Sequence, residues 1–405
     1  MIETAQRMKH FKTSVFTSLK ELREQYEKEH NQKTIDFSLG SPNITPDPQI
    51  MNVLAEAVEQ PENYKYAVTA LPQLIESIQK WYRNRYEVDL DKEEIVLLQG
   101  SQEALVNLPL IYCNEGDGIL VPDPYYPVYV DAPKLAQADI IFTPLRRENN
   151  YLVDFSRITE EQRKSAKMML VCYPNNPTGA AAPDSFYEEL IRFAKENDIL
   201  IVHDNAYSEL VFDGKKGKSF LSFPGAKEVG VELNSFSKTY GMAGARLGVL
   251  VGNKKVIEAY RILKSNMDYG IFLPVQYAGI EALEHGGSAI QSTRQEYERR
   301  RDATVKAFHA AGWPIQPSEA TMFIWALIPE QYKDCEQFAQ ELLKRTGIVV
   351  TPGTSFGPEG KRYVRIALVQ DEQDILEAAK RLQTSGLFGQ GGKEQIYNQT
   401  EKAAV

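Results

Sequence analysis

The chain has 405 residues, of which 43% are hydrophobic and 25% charged, with a formal net charge of −9. That length allows about two to three domains and a sizeable core. An acidic chain with no long basic block argues against nucleic acid or an anionic membrane surface as its main partner.

The N-terminal stretch MIETAQRMKHFKTSVF lacks the apolar core and cleavage site of a secretory signal. No later stretch approaches the roughly 20 apolar residues of a membrane span. Cys113, Cys172 and Cys335 lie far apart, with no metal or redox spacing, which fits a reducing compartment. The expected location is the cytoplasm.

In chain order, SLKELREQYEKEH is helix-prone, and TIDFSLGSPN reads as a short strand breaking into a Gly/Pro loop. QIMNVLAEAV reads as a helix, and EEIVLLQGSQEALVNL as strand, Gly-Ser turn and helix. DGILVPDPYYPVY and KMMLVCYPNNPTG are strands that end in turns. DSFYEELIRFAKEND is a helix with Asp184 as its expected N-cap. DILIVHDNAYSEL, GVELNSFSK and ARLGVLVGN are further strands. After about residue 290 the texture changes: STRQEYERRRDATVKAFHAAG is a long polar helix, TMFIWALI, GIVVTPG and YVRIALV read as strands, and EQDILEAAKRL as a helix.

The strands before residue 290 are continuous apolar runs rather than alternating ones, as in a sheet covered on both faces. Their alternation with helices predicts a doubly wound α/β layer, and the later segment a smaller α+β domain. The expected division is a large domain over 46–290, a small one from 1–45 and 291–385, and a fraying Gly-rich tail over 386–405. In open α/β sheets ligands bind beyond the carboxyl ends of the strands. Ser101, Gln102, Tyr126, Asn176, Asp204, Tyr207, Ser235 and Lys238 all fall there.

Three patterns mislead. GTSFG at 353–357 matches a hydrolase nucleophile elbow, but Pro358 and a turn follow where that motif needs a helix. GKKGKS at 214–219 resembles the end of a P-loop but has Phe212 where the first glycine belongs. The glycines of GMAGARLG are wrongly spaced for a dinucleotide fingerprint.

The strand-end residues make chemical sense as a set. A lysine forms a Schiff base with a carbonyl, and an aspartate keeps a ring nitrogen protonated. Asparagine and tyrosine bond a phenolate oxygen, and a Ser/Gly turn opening a helix, aided by Arg246, binds an anion. Pyridoxal 5'-phosphate carries all four groups. Each residue alone has an ordinary structural reading: Asp204 as a turn cap, Asn176-Pro177 as a turn, Arg246 as a surface ion pair. Their joint occurrence at strand ends favours the cofactor.

With YPNNPTG, DNAYSEL, SFSKTYGMAGARLG and YVRIALV in place, residues 30–383 resemble a class I/II aminotransferase of the fold-type-I pyridoxal-phosphate superfamily. DPYYPVY and GSQEALVNLPL look most like its diaminopimelate-aminotransferase-like branch. The resemblance implies a mostly parallel seven-stranded sheet sandwiched by helices, and a homodimer with shared active sites. It implies that Lys238 carries the cofactor and then serves as general base, with Asp204 on the pyridine nitrogen. Asn176 and Tyr207 would bond the phenolate oxygen, and Tyr126 would stack on the ring. Ser101, Gln102, Ser235, Ser237 and Arg246 would serve the phosphate. Gly40, Asn176 and Arg365 would receive the substrate, Arg365 gripping its α-carboxylate. Where the family shows a glycine and an arginine around a Leu-Pro helix start, this chain has Ala70 and Ile75. Tyr66, or failing it Tyr64, would reach the partner subunit's phosphate. The expected reaction moves an amino group between an L-amino acid and a 2-keto acid, with glutamate and 2-oxoglutarate as one pair. The other substrate is left open among diaminopimelate-like, aromatic, alanine and aspartate. A pyridoxal-phosphate lyase and a non-catalytic ligand-sensing domain remain as alternatives.

Overall fold

The computed structural model describes residues 2–11 and 15–388. Among the described residues twelve strands run in chain order: β1 (Ile35–Asp36), β2 (Ile95–Leu98), β3 (Gly118–Asp123), β4 (Asp139–Pro144), β5 (Ala166–Cys172), β6 (Leu200–Asp204), β7 (Gly230–Ser235), β8 (Gly248–Gly252), β9 (Phe323–Leu327), β10 (Ile348–Val349), β11 (Thr351–Pro352) and β12 (Tyr363–Ala367). The chain divides into two compact units. One comprises Pro42–Asn176 and Ala180–Gln295 with the N-terminal stretch to Phe11. The other comprises the stretch ending at Ser41, Pro177–Gly179 and the chain from Glu296 on.

The first unit is built on a seven-stranded sheet of order β2-β8-β7-β6-β5-β3-β4. Only β8 is reversed, pairing antiparallel with both β2 and β7 while the other pairings are parallel. The fold is therefore the mostly parallel α/β layer that the sequence predicts. Successive side chains of a strand point to opposite faces, and here both faces are buried. Ile95, Leu97, Met169, Val171, Ile201 and Val249 enter one apolar cluster, and Val96, Leu98, Met168, Leu170, Val202 and Leu250 the other. Helices Pro72–Tyr86, Asp184–Asn197 and Leu273–His285 cover the first face. Helices Gln102–Tyr112, Val128–Leu135 and Lys254–Lys264 cover the second. That double covering is why the strands read as unbroken apolar runs.

In the second unit, β11-β12-β9 form an antiparallel sheet, and β1 pairs in parallel with β10. The segment GIVVTPG, read as one strand, splits at Val350 and serves both sheets. Asp184 is also not an N-cap. Pro183 holds that position without a side-chain hydrogen bond, and Asp184 is the first helical residue, paired with Lys218. The expected tail begins as ordered chain: Leu387 is buried, and the Phe388 ring stacks on Trp313 at 5.5 Å. Residues 389–405 lie outside the described residues. No helix among the described residues is long and apolar enough to cross a membrane.

Candidate active site

One edge of the large sheet collects the chemistry. The carboxyl ends of β2, β3, β5, β6 and β7 lie there, together with the amino end of the reversed β8. Gly248 aligns with Leu98 on one side and Ser235 on the other, and Asp204 lies between Cys172 and Leu233. Ser101, Gln102, Tyr126, Asn176, Asp204, Tyr207, Ser235, Ser237, Lys238 and Arg246 all follow these ends or, for Arg246, precede the start of β8.

Lys238 sits half-buried on the one-turn helix Phe236–Thr239 directly after β7. Ser235 caps that turn, its Oγ accepting from the Ser237 N–H at 3.2 Å, while its own N–H donates to Asn234 Oδ1. The local sequence thus sets the lysine's direction: a serine cap for a helix start, then Gly241 at φ 69° to turn the chain away.

Asp204 is 7% exposed. Tyr129 donates to its Oδ2 at 2.7 Å, and the Ala206 N–H approaches Oδ1 at 3.3 Å. Burial pushes its carboxyl above the ordinary carboxylate range, against the Tyr129 hydroxyl, the Ala206 N–H and the nearby His203 and Lys238. A cation beside Asp204 would relieve that penalty. Tyr129 is a residue the sequence reading misses. The available signal is its place three after Tyr126, at the start of helix Val128–Leu135. Behind Asp204, on the opposite face, His203 lies between Glu232 Oε2 and the Tyr173 carbonyl, each at 3.0 Å.

Tyr126 is half-buried, its hydroxyl donating to Gln102 Oε1 at 3.1 Å. Asn176 and Tyr207 are buried at the ends of β5 and β6. The neighbouring Asn175 closes the YPNNPTG turn, its N–H donating to the Ala180 carbonyl at 2.9 Å.

The expected anion site is a turn packed against an arginine. Gly100 has φ 80°, and a Cβ there would lie 2.2 Å from Arg246 Nη2, so only glycine fits. Arg246 itself is left-handed, with φ 56°, and its guanidinium donates to the Ala243 carbonyl at 3.0 Å and the Gln99 carbonyl at 3.3 Å. Ser101 and Gln102 open helix Gln102–Tyr112; the Glu103 and Ala104 N–H groups bond back to the Gly100 and Ser101 carbonyls, so it is the Ser101 and Gln102 N–H groups at the helix start that face an anion in this reading. An exposed arginine beside such N–H groups matches the chemistry of a phosphate. The lysine, the buried aspartate and this cradle together fit pyridoxal phosphate.

Tyr66 is 77% exposed and rests on Tyr269 at 4.8 Å. Tyr64 is 63% exposed, but its hydroxyl donates to the Val58 carbonyl at 3.0 Å. In the second unit, Arg365 on β12 is 1% exposed. Its guanidinium lies over the rings of Phe323 and Phe356, 4.1 and 4.6 Å from their centroids, and Nη2 donates to the Ser38 carbonyl at 3.0 Å. Gly40 packs against it: a Cβ there would sit 3.1 Å from Phe323 Cζ and 3.3 Å from Arg365 Nη2. The 353–357 decoy is a 3-10 turn followed by a second one, with no helix after Ser355.

The family model for aminotransferase class I and II matches residues 32–382. The chain belongs to that family. It is therefore a pyridoxal-phosphate-dependent aminotransferase. The aminotransferase is 42% identical, over 95% of its length and 99% of the relative's, to the LL-diaminopimelate aminotransferase of Halothermothrix orenii. It is 38% identical, over 85% of each chain, to the glutamate-pyruvate aminotransferase AlaC of Escherichia coli. Among solved structures, apo-BacF of Bacillus subtilis matches with a TM-score of 0.92 and 35% identity, covering 96% of this chain and 100% of that one. The lyase reading draws no support from these relatives.

Proposed function

We propose that this aminotransferase takes the amino group of LL-diaminopimelate and delivers it to 2-oxoglutarate, working in the cytoplasm as a homodimer. The observation that carries the transfer chemistry is the gathering of Lys238, the buried Asp204 and the Gly100–Arg246 cradle at one sheet edge. The diaminopimelate assignment is supported by 42% identity to a relative of that name. AlaC supports L-alanine as the second reading.

In this reading Lys238 Nζ is the attachment point for the cofactor aldehyde and, once displaced, moves the substrate's α-proton. Asp204 holds a proton on the ring nitrogen. When bound, the cofactor supplies a sink for the electron pair left at the substrate's α-carbon. Asn176 and Tyr207 donate to the phenolate oxygen, and Tyr126 covers one ring face. Ser101, Gln102, Ser235, Ser237 and Arg246 hold the phosphate. Arg365 receives the substrate's α-carboxylate as a fork, with Gly40 leaving the backbone accessible. Tyr66 serves the partner's site better than Tyr64, whose hydroxyl is already engaged. The dimer is supported by the exposed apolar side chains of Tyr66, Val68, Met267 and Tyr269, of which Tyr66 and Tyr269 are in ring contact. The three cysteines are buried thiols, in keeping with a reducing compartment.

The test is glutamate formation from 2-oxoglutarate with LL-diaminopimelate, L-alanine and L-aspartate as donors, in wild type and Lys238→Ala. The highest kcat/KM is expected with LL-diaminopimelate, and no turnover in Lys238→Ala. A higher kcat/KM with L-alanine would replace the substrate assignment. Sustained turnover in Lys238→Ala would remove that lysine from the chemistry.

A further inference from the structure

Behind the Gln99–Gly100–Ser101 turn lies a set of charged groups that the reading above leaves unused. Helix Lys254–Lys264 presents Tyr260 and Lys264, one turn apart, to Glu103 in the first turn of helix Gln102–Tyr112. Glu103 Oε1 accepts from Lys264 Nζ at 2.8 Å and from the Tyr260 hydroxyl at 2.9 Å. Its other oxygen, Oε2, accepts from the Gln99 N–H at 2.6 Å. Lys264 also pairs with Asp268 Oδ2 at 2.7 Å, and both Lys264 and Tyr260 are buried. The carbonyl of the same Gln99 accepts from Arg246 Nη2. Gln99 is thus tied through its N–H to the Glu103–Lys264 pair and through its carbonyl to the arginine of the cradle.

Two physical effects follow. The pair fixes the Gln99 peptide, and with it the turn on which Arg246 rests. The charge matters separately. A glutamate in the first turn favours the helix by itself, but its negative charge lies close to where a phosphate would bind and opposes it. Lys264 offsets that charge at its source, in a buried place where salt screens little.

We propose that Lys264, through its ion pair with Glu103, is a positioning residue that makes the Gln99–Ser101 turn and Arg246 a competent phosphate cradle. This rests on the assignment of the cofactor phosphate to that turn under Proposed function.

The test compares the affinity of the full-length apoenzyme for pyridoxal phosphate and for pyridoxal, which lacks only the phosphate. Lys264→Met is expected to weaken pyridoxal phosphate on the order of tenfold and to leave pyridoxal unchanged. Adding Glu103→Gln to Lys264→Met restores most of the loss, because the carboxylate bonded to the Gln99 N–H is then gone, although Asp268 still lacks its lysine. Glu103→Gln alone keeps an acceptor for the Gln99 N–H and removes a negative charge. It therefore raises the preference for the phosphorylated ligand, and it carries the test should Lys264→Met fail to fold. Equal losses for both ligands in Lys264→Met, or an unchanged or lower preference in Glu103→Gln, would overturn the proposal. A wild type that binds both ligands equally would instead overturn the phosphate assignment itself.

Discussion

Asp204 and Arg365 are both buried charged side chains, and different devices hold them. Asp204 takes one strong neutral donor, Tyr129, and one weak backbone donor, so burial dominates and its carboxyl stays protonated to higher pH than usual. Its native form binds the proton more tightly than the unfolded chain does. Its contribution to stability is therefore fully present below the ordinary carboxylate value of about 4 and is lost as pH rises through the raised native value. In the cofactor-free protein, Asp204→Asn is expected to flatten the fall in stability over that window. Urea denaturation of both proteins across pH checks it, and parallel wild-type and variant curves would contradict the shift. Arg365 is caged by two phenylalanine rings and a backbone carbonyl. A lysine there loses both the fork and the ring stacking. Arg365→Lys is expected to lower kcat/KM for the amino donor by about 2–5 kcal/mol, read from steady-state kinetics. Both residues were legible in the sequence because they sit in motifs whose residue types match a ligand's groups. Tyr129 was not, because nothing in DPYYPVY says which tyrosine turns inward to the aspartate two strands away.

Among the secondary-structure elements, β6 and β7 are locked behind the site by a fully buried hydrogen-bonded pair, His203 and Glu232. Glu232 accepts from His203 at 3.0 Å, Tyr82 at 3.1 Å, Ser219 at 2.9 Å and the Phe220 N–H at 2.7 Å. It thereby joins β7 to β6, to helix Pro72–Tyr86 and to the 219–220 turn. Removing one partner of such a pair leaves the others buried and unsatisfied. Glu232→Leu is expected to cost about 1–3 kcal/mol for each buried donor it leaves unsatisfied, read in equilibrium unfolding, more than an average substitution. The strands' existence was readable from apolar runs, but GIVVTPG gave no sign that it divides between two sheets, since hydropathy does not report which edge a strand meets. Asp139–Pro144, the edge strand β4, escaped for the opposite reason. It is partly exposed, and its apolar run, Ile140–Phe142, is only three residues long.

For the whole molecule, the proposed dimer concerns the loop from Tyr64 to Val68 and the segment from Met267 to Phe272. They adjoin through the Tyr66–Tyr269 and Tyr64–Phe272 ring contacts and leave apolar side chains exposed. Sedimentation is expected to show a dimer at micromolar concentration, and Val68→Glu to shift it toward monomer by placing an unpaired charge in the buried patch. A monomeric wild type would exclude the arrangement. The helix Gly287–Ala310 contributes residues to both compact units. A change in texture near residue 290 therefore marked a helix, and the division between units falls inside it.

By itself the sequence determined the α/β class and the cofactor, and it singled out the lysine, aspartate, asparagine and arginine proposed to hold that cofactor. It could do so because those choices are fixed locally, by strand ends, turn glycines and the chemistry of the ligand. Only the tertiary structure decided what stands behind them: Tyr129 on Asp204, Glu232 on His203, and Lys264 on Glu103. Partners in those pairs are separated by 75, 29 and 161 positions. Packing brings them together because a buried polar group must find its hydrogen-bond partner in space, wherever that partner lies along the chain.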